Sequence, residues 1–124
     1  GDILFIDNSH RIFQNSDATV FFLEVLPRLK AGVMVQIHDI FLPFDYPVAW
    51  ADRYYSEQYV LAAYVLARYR KLDIVLPLAY ISEHPALSAF VNQTWQARVF
   101  QDAFVHNREV SAGYLGTSFW LGVN

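Results

Sequence analysis

The chain has 124 residues, 55% hydrophobic and 17% charged, with a formal net charge of −3 and no cysteine. That length is one domain or less, and the missing cysteines exclude disulfides, thiolate zinc sites and cysteine nucleophiles. With no basic run beyond Arg68-Tyr69-Arg70-Lys71, no basic leader before an apolar stretch, and no apolar run near ~20 residues, neither nucleic acid nor a membrane is an expected partner, and a cytoplasmic location is expected.

Ile3-Leu4-Phe5-Ile6 is a continuous apolar run of strand length, the pattern of a strand buried on both faces. It breaks abruptly into Asp7-Asn8-Ser9-His10. Ser16 is placed to cap a helix. Ala18, Phe21, Phe22, Val25, Leu26 and Leu29 follow at helical spacing on one face. Pro27 is expected to kink or tighten the last turn, and Gly32 to end the helix. Residues 33–37 form the next strand, made parallel to the first by a right-handed crossover, and it too breaks into His38-Asp39.

Residues 41–51, with two prolines and several aromatics, read as an ordered loop. Ser56 is placed to cap a second helix reaching about Arg70, with Tyr59, Val60, Ala63, Leu66 and Ala67 inward. Leu72 to Leu78 reads as a third strand that Pro77 ends or confines to an edge. Residues 84–105 read as irregular helix starting at His84-Pro85, with Phe90, Trp95, Val99 and Phe104 inward. Ser118 to Leu121 is the final strand. The apolar and aromatic content is high for so small a unit. It reads as surface meant for a partner, or as an aromatic core with some exposed rings.

In an open parallel sheet ligands gather at the carboxyl ends of the strands. Asp7, His38 and Asp39 stand there on two adjacent strands. Two carboxylates and an imidazole can hold a divalent metal with positions left for substrate; equally, the acids can cap loops and the histidine can be a hydrogen-bonded, half-buried residue. His10 reads as a general base toward a hydroxyl or amine, or as a loop-fixing residue bonded to Ser9 or Asp17. Phe44, Tyr46, Trp50, Tyr54 and Tyr55 can line a substrate pocket or form its lid, with Asp45 and Arg53 as polar anchors, or simply pack the loop. Glu57 reads as a support for the helix start, where negative charge is favoured. His84 and His106 read as structural or surface residues.

The stretches Ile6-Asp7-Asn8-Ser9-His10, residues 26–47 (LPRLKAGVMVQIHDIFLPFDYP), residues 56–67 (SEQYVLAAYVLA) and Ser118-Phe119-Trp120-Leu121 resemble the C-terminal half of class I S-adenosylmethionine-dependent methyltransferases. The likeness spans most of the chain and is weakest between residues 82 and 113. It implies an α/β, Rossmann-like half-domain over residues 1–124 as a single unit: a mostly parallel sheet with helices on both faces, and a final antiparallel strand inserted between the second and third strands. The family's cofactor-binding half, with its Gly-rich turn, is expected upstream of Gly1, which would leave the first strand's outer edge for that half or for a homodimer partner.

The resemblance further implies S-adenosylmethionine as cofactor, reached here by Asp7 and Asn8, with Asp7 and His10 at the chemistry. The acceptor would be a small molecule or sugar, methylated on oxygen or, less favoured, on nitrogen. Metal-dependent members of the family place ligands where Asp7, His38 and Asp39 stand. The imidazole of His38 departs from their all-oxygen set and shifts the expectation from Mg²⁺ toward Mn²⁺, Fe²⁺ or Zn²⁺. The expected activity is that of the acceptor-side half, with 124 residues alone insufficient for turnover. The competing expectations are a non-catalytic module that assembles through its open sheet edge, and a metal-dependent enzyme of other chemistry using Asp7, His10, His38 and Asp39.

Overall fold

A computed structural model describes residues 1–69, 71–95, 114 and 116–124. Strand β1 spans Ile3–Ile6 and β2 spans Met34–Ile37, paired parallel with Leu4 opposite Val35. Strand β3 spans Leu72–Pro77, and β4, Phe119–Val123, runs antiparallel to both β2 and β3. The sheet order is β1-β2-β4-β3, so the expected insertion of the last strand and its antiparallel sense are both found. The result is an α/β fold on a four-stranded mixed sheet with one parallel pair.

The segment between β1 and β2 begins as helix α1, Asp17–Val20, capped by Ser16, whose hydroxyl accepts from Thr19 N at 3.0 Å. It widens into a π-turn over Phe21–Val25 and tightens into a 3₁₀ turn over Leu26–Arg28. Pro27 explains the change of pitch: it offers no N–H, and its ring disfavours the carbonyl one α-turn back. The helix therefore stops at Arg28, before Gly32. Gly32 instead turns the chain into β2 at φ +88°, and its N–H bonds Val123 O at 2.8 Å.

A 3₁₀ turn over Val48–Arg53 lies in the loop after β2, followed by helix α2, Glu57–Leu66. Helix α3, Leu78–Glu83, and α4, Pro85–Trp95, meet at extended His84, with Pro85 opening α4 as expected. Val99, Phe104 and His106 lie outside the described residues.

Phe21, Phe22 and Leu26 pack with Leu61 of α2 against Val35, Ile37, Phe119, Leu121 and Val123 in one core on one sheet face. On the opposite face Ile3 and Phe5 are 66% and 59% exposed, and β1 is an edge strand. Helix α2 presents only part of its expected side, Val60 packing against the core. Its buried residues are Glu57, Gln58 and Leu61, whereas Tyr59 and Leu66 are exposed. Two polar residues have taken inward places because each finds a partner there, and that rotation builds the site. Among the described residues no helix is long and apolar enough to cross a membrane.

Candidate functional site

Loop 7–12 leaves β1 and docks on the start of α2. The His10 carbonyl accepts from Ser56 N at 2.8 Å and Glu57 N at 3.2 Å, satisfying N–H groups that a helix start leaves unpaired. Ser56 does not cap its own helix; its hydroxyl accepts from Ile12 N at 2.8 Å. Inside the loop Asn8 Oδ1 accepts from His10 N at 2.7 Å, while Ser9 donates to Asp17 through both its N–H and its hydroxyl. His10 thus sits in the left-handed region at φ 56°. Such a conformation costs a non-glycine residue about 1–2 kcal/mol and persists only where its surroundings impose it.

The imidazole is buried, and its two nitrogens face different environments. Nδ1 lies 2.5 Å from Oε1 of Glu57, a carboxylate wholly out of solvent. Nε2 lies 3.2 Å from Asp7 Oδ1 and 3.8 Å from Asp39 Oδ2. Asp7, with its side chain half exposed, is the outer of these two acids. Burial by itself lowers the His10 pKa, but the hydrogen bond and charge of Glu57, then the charges of Asp39 and Asp7, outweigh it and raise the group above its ordinary 6.5. The Glu57 bond fixes the tautomer: Nδ1 carries the hydrogen, and Nε2 is the atom that gains or loses a proton.

Asp39, like His10, adopts a left-handed backbone, at φ 54°. Its Oδ1 lies 2.9 Å from His38 Nδ1, off the hydrogen-bond line, and accepts from Thr117 Oγ1 at 3.2 Å. Burial raises the Asp39 carboxyl, yet His38, then His10 and Thr117, bring it below the usual 3.8. The neighbouring carboxylate of Asp39, opposed by burial, raises His38 above its ordinary 6.5.

The expected metal set therefore has its donors turned on one another: Asp7 faces His10, and His38 and Asp39 face each other. Among the described residues no set of three or more His, Asp or Glu side chains is arranged to hold a metal ion. As folded, this donor set does not fit a resident metal. The residues assigned to cofactor fit a polar ligand better. Asp7 keeps a half-exposed carboxylate, and Asn8 Nδ2 is buried without a hydrogen-bond partner among the described residues.

The aromatic loop divides in two. Phe44 packs with Phe41 and Tyr114 in a small second core, where Trp50 also meets Phe41. Tyr46, Trp50, Tyr54, Tyr55 and Tyr59 line a recess with Asp45. Tyr55 also lies 4.5 Å from the His10 ring. The Arg53 guanidinium stacks 3.7 Å above Trp50 rather than lining the recess.

Sequence reasoning missed Glu57 as a site residue, together with Gln58, whose Oε1 accepts from Phe41 N at 3.0 Å, and Thr117. The usable signal was an adjacent acid and amide at a helix start, facing a loop that holds a histidine. Comparison of the chain with protein-family models, with curated proteins and with solved structures finds no match.

Proposed function

We propose that this chain is the acceptor-side half of an S-adenosylmethionine-dependent methyltransferase acting on an oxygen, or less readily a nitrogen, of a small molecule or sugar. The observation that carries the reading is His10 at the carboxyl ends of β1 and β2, with Nδ1 fixed by buried Glu57 and Nε2 directed to Asp7 and Asp39. A base so held accepts a proton from a hydroxyl without reorienting. S-adenosylmethionine, when bound, supplies an electrophilic methyl group on a sulfonium that leaves as a neutral thioether. His10 Nε2 takes the acceptor's hydroxyl proton, Glu57 holds the resulting imidazolium, and Asp7 with Asn8 offers the polar edge toward the cofactor. In the finer fold reading that accompanies this, the half-domain is Rossmann-like, and the outer edge of β1 meets the cofactor-binding half. The second reading, an assembly module, is favoured by the same edge position of β1 with Ile3 and Phe5 exposed beside it.

Calorimetric titration with S-adenosylhomocysteine, with and without Mn²⁺, separates the two. Weak, saturable binding through the Asp7-Asn8 edge is expected, lost in Asp7→Ala. No heat from folded protein would remove a cofactor site from the isolated chain, and sedimentation as a dimer would then favour the assembly module over the half-domain. Binding that requires Mn²⁺ would restore a metal to the site.

A further inference from the structure

The recess beside His10 has a composition that selects a charge type. It is a half-open recess of about 290 Å³. Trp50 stands at 84° to Tyr55, Tyr55 at 77° to Tyr46, and Tyr46 at 85° to Tyr59, each pair with centroids 5.8–5.9 Å apart. Tyr54, 72% exposed, forms the rim. Neighbouring rings set at right angles make a box. Each ring face is negative at its centre.

Besides the tyrosine phenols, the one ionisable side chain lining the box among the described residues is the carboxylate of Asp45; no lysine, arginine or side-chain amide does. Asp45 Oδ1 accepts from Tyr46 N at 2.8 Å and from the Tyr59 hydroxyl at 2.5 Å. Both bonds fall on one oxygen, leaving Oδ2 for a ligand. The carboxylate in such a lining repels anions. An alkylammonium group suits it, because ring faces and a carboxylate both attract a diffuse positive charge. The loop already holds one cation this way, the Arg53 guanidinium, 3.7 Å above Trp50 and 5.7 Å from the Tyr55 ring centre.

We infer that the recess binds an organic ammonium group and, resting on the methyl-transfer reading, that the acceptor carries such a group near the hydroxyl presented to His10. Tyr55 connects the two, since it lines the recess and lies 4.5 Å from the His10 ring. The substrate class is then an amino alcohol or amino sugar rather than a neutral sugar or an acid.

The test is an NMR titration of the full chain with tetramethylammonium and choline, against 3,3-dimethyl-1-butanol as the neutral isostere of choline. Saturable upfield shifts of the N-methyl protons are expected, since shielding arises only over ring faces. The isostere should bind about tenfold more weakly, and Asp45→Asn should weaken tetramethylammonium about threefold or more. Equal binding of the isostere, an indifferent Asp45→Asn, or no saturable shift would overturn the proposal. These readings need no methyl donor. If the ammonium binds while S-adenosylhomocysteine does not, the cation recess stands and its role as acceptor anchor falls; the reverse result removes the recess alone.

Discussion

Replacing His10 by alanine is expected to destabilise the fold by about 3–5 kcal/mol, because it strands the Glu57 carboxylate in the interior without its cation. Glu57 is fully buried, and His10 Nδ1 is the hydrogen-bond partner of its Oε1. Its Oε2 has no partner among the described residues, so none of them substitutes. Alanine keeps the left-handed strain at residue 10, so the loss reports the pair and not the backbone. The double variant His10→Ala/Glu57→Leu should recover most of the loss, since removing both charges from the interior is often near neutral. Urea unfolding of the four proteins of this cycle supplies the comparison. A single-variant loss under about 1 kcal/mol, the range of exposed ion pairs, would mean that the buried pair does not hold the loop on α2.

The second large effect concerns pH. His10 is raised above 6.5 in the folded chain. Its contribution to stability is therefore fully present below about 6.5 and is lost as pH rises through the folded value. Proton acceptance runs the other way, because only the neutral imidazole takes a proton: in the assembled enzyme, methyl transfer should rise about tenfold per pH unit up to that value and then level. Stability and rate thus have opposite slopes across one window.

Glu57→Gln removes the strongest of the raising influences, leaving burial to push the pKa down against Asp39 and Asp7. The rising limb should move to lower pH, and the extra stability on the acid side should shrink. Proton NMR titration of the His10 ring reads the shift directly, without turnover. A His10 titration in Glu57→Gln that matches the parent chain would refute the positioning role of Glu57.

The frame was legible because its signals are local. Ile3–Ile6 and the apolar run before His38 announce strands, Ser16 announces a helix start, and Pro77 closes β3. The burial of β1 on both faces is not found, because β1 is an edge strand with Ile3 and Phe5 exposed on one face. The strand order came through the family likeness rather than through periodicity. The π and 3₁₀ turns were not legible in detail, because Pro27 marks a disturbance without saying how the turns ahead of it adjust.

The site was half legible. Asp7, His10 and Asp39 stand at strand ends, as strand-end chemistry predicts, and the structure brings them together. Glu57 and Gln58 were not foreseen, because a hydrophobic count assigns polar residues outward. Here the partners that make their burial tolerable, His10 and the Phe41 amide, lie 47 and 17 residues away. A buried polar pair is readable only once both members are placed.

Among the described strands β4 comes last in sequence yet lies in the middle of the sheet, and β3 pairs within it with β4 alone. During synthesis β1 and β2 must therefore wait beside an unfilled slot while more than half of the chain emerges. The pairing of Val35 with Leu121 then closes a very long loop. Folding of this kind is slow and nearly all-or-none, since distant contacts form only after their entropy of closure has been met. A ribosome-tethered chain lacking β4 should leave the sheet unclosed and be open to protease, and the site with it. The base, its buried acid and the aromatic recess all precede the strand on which the finished sheet depends.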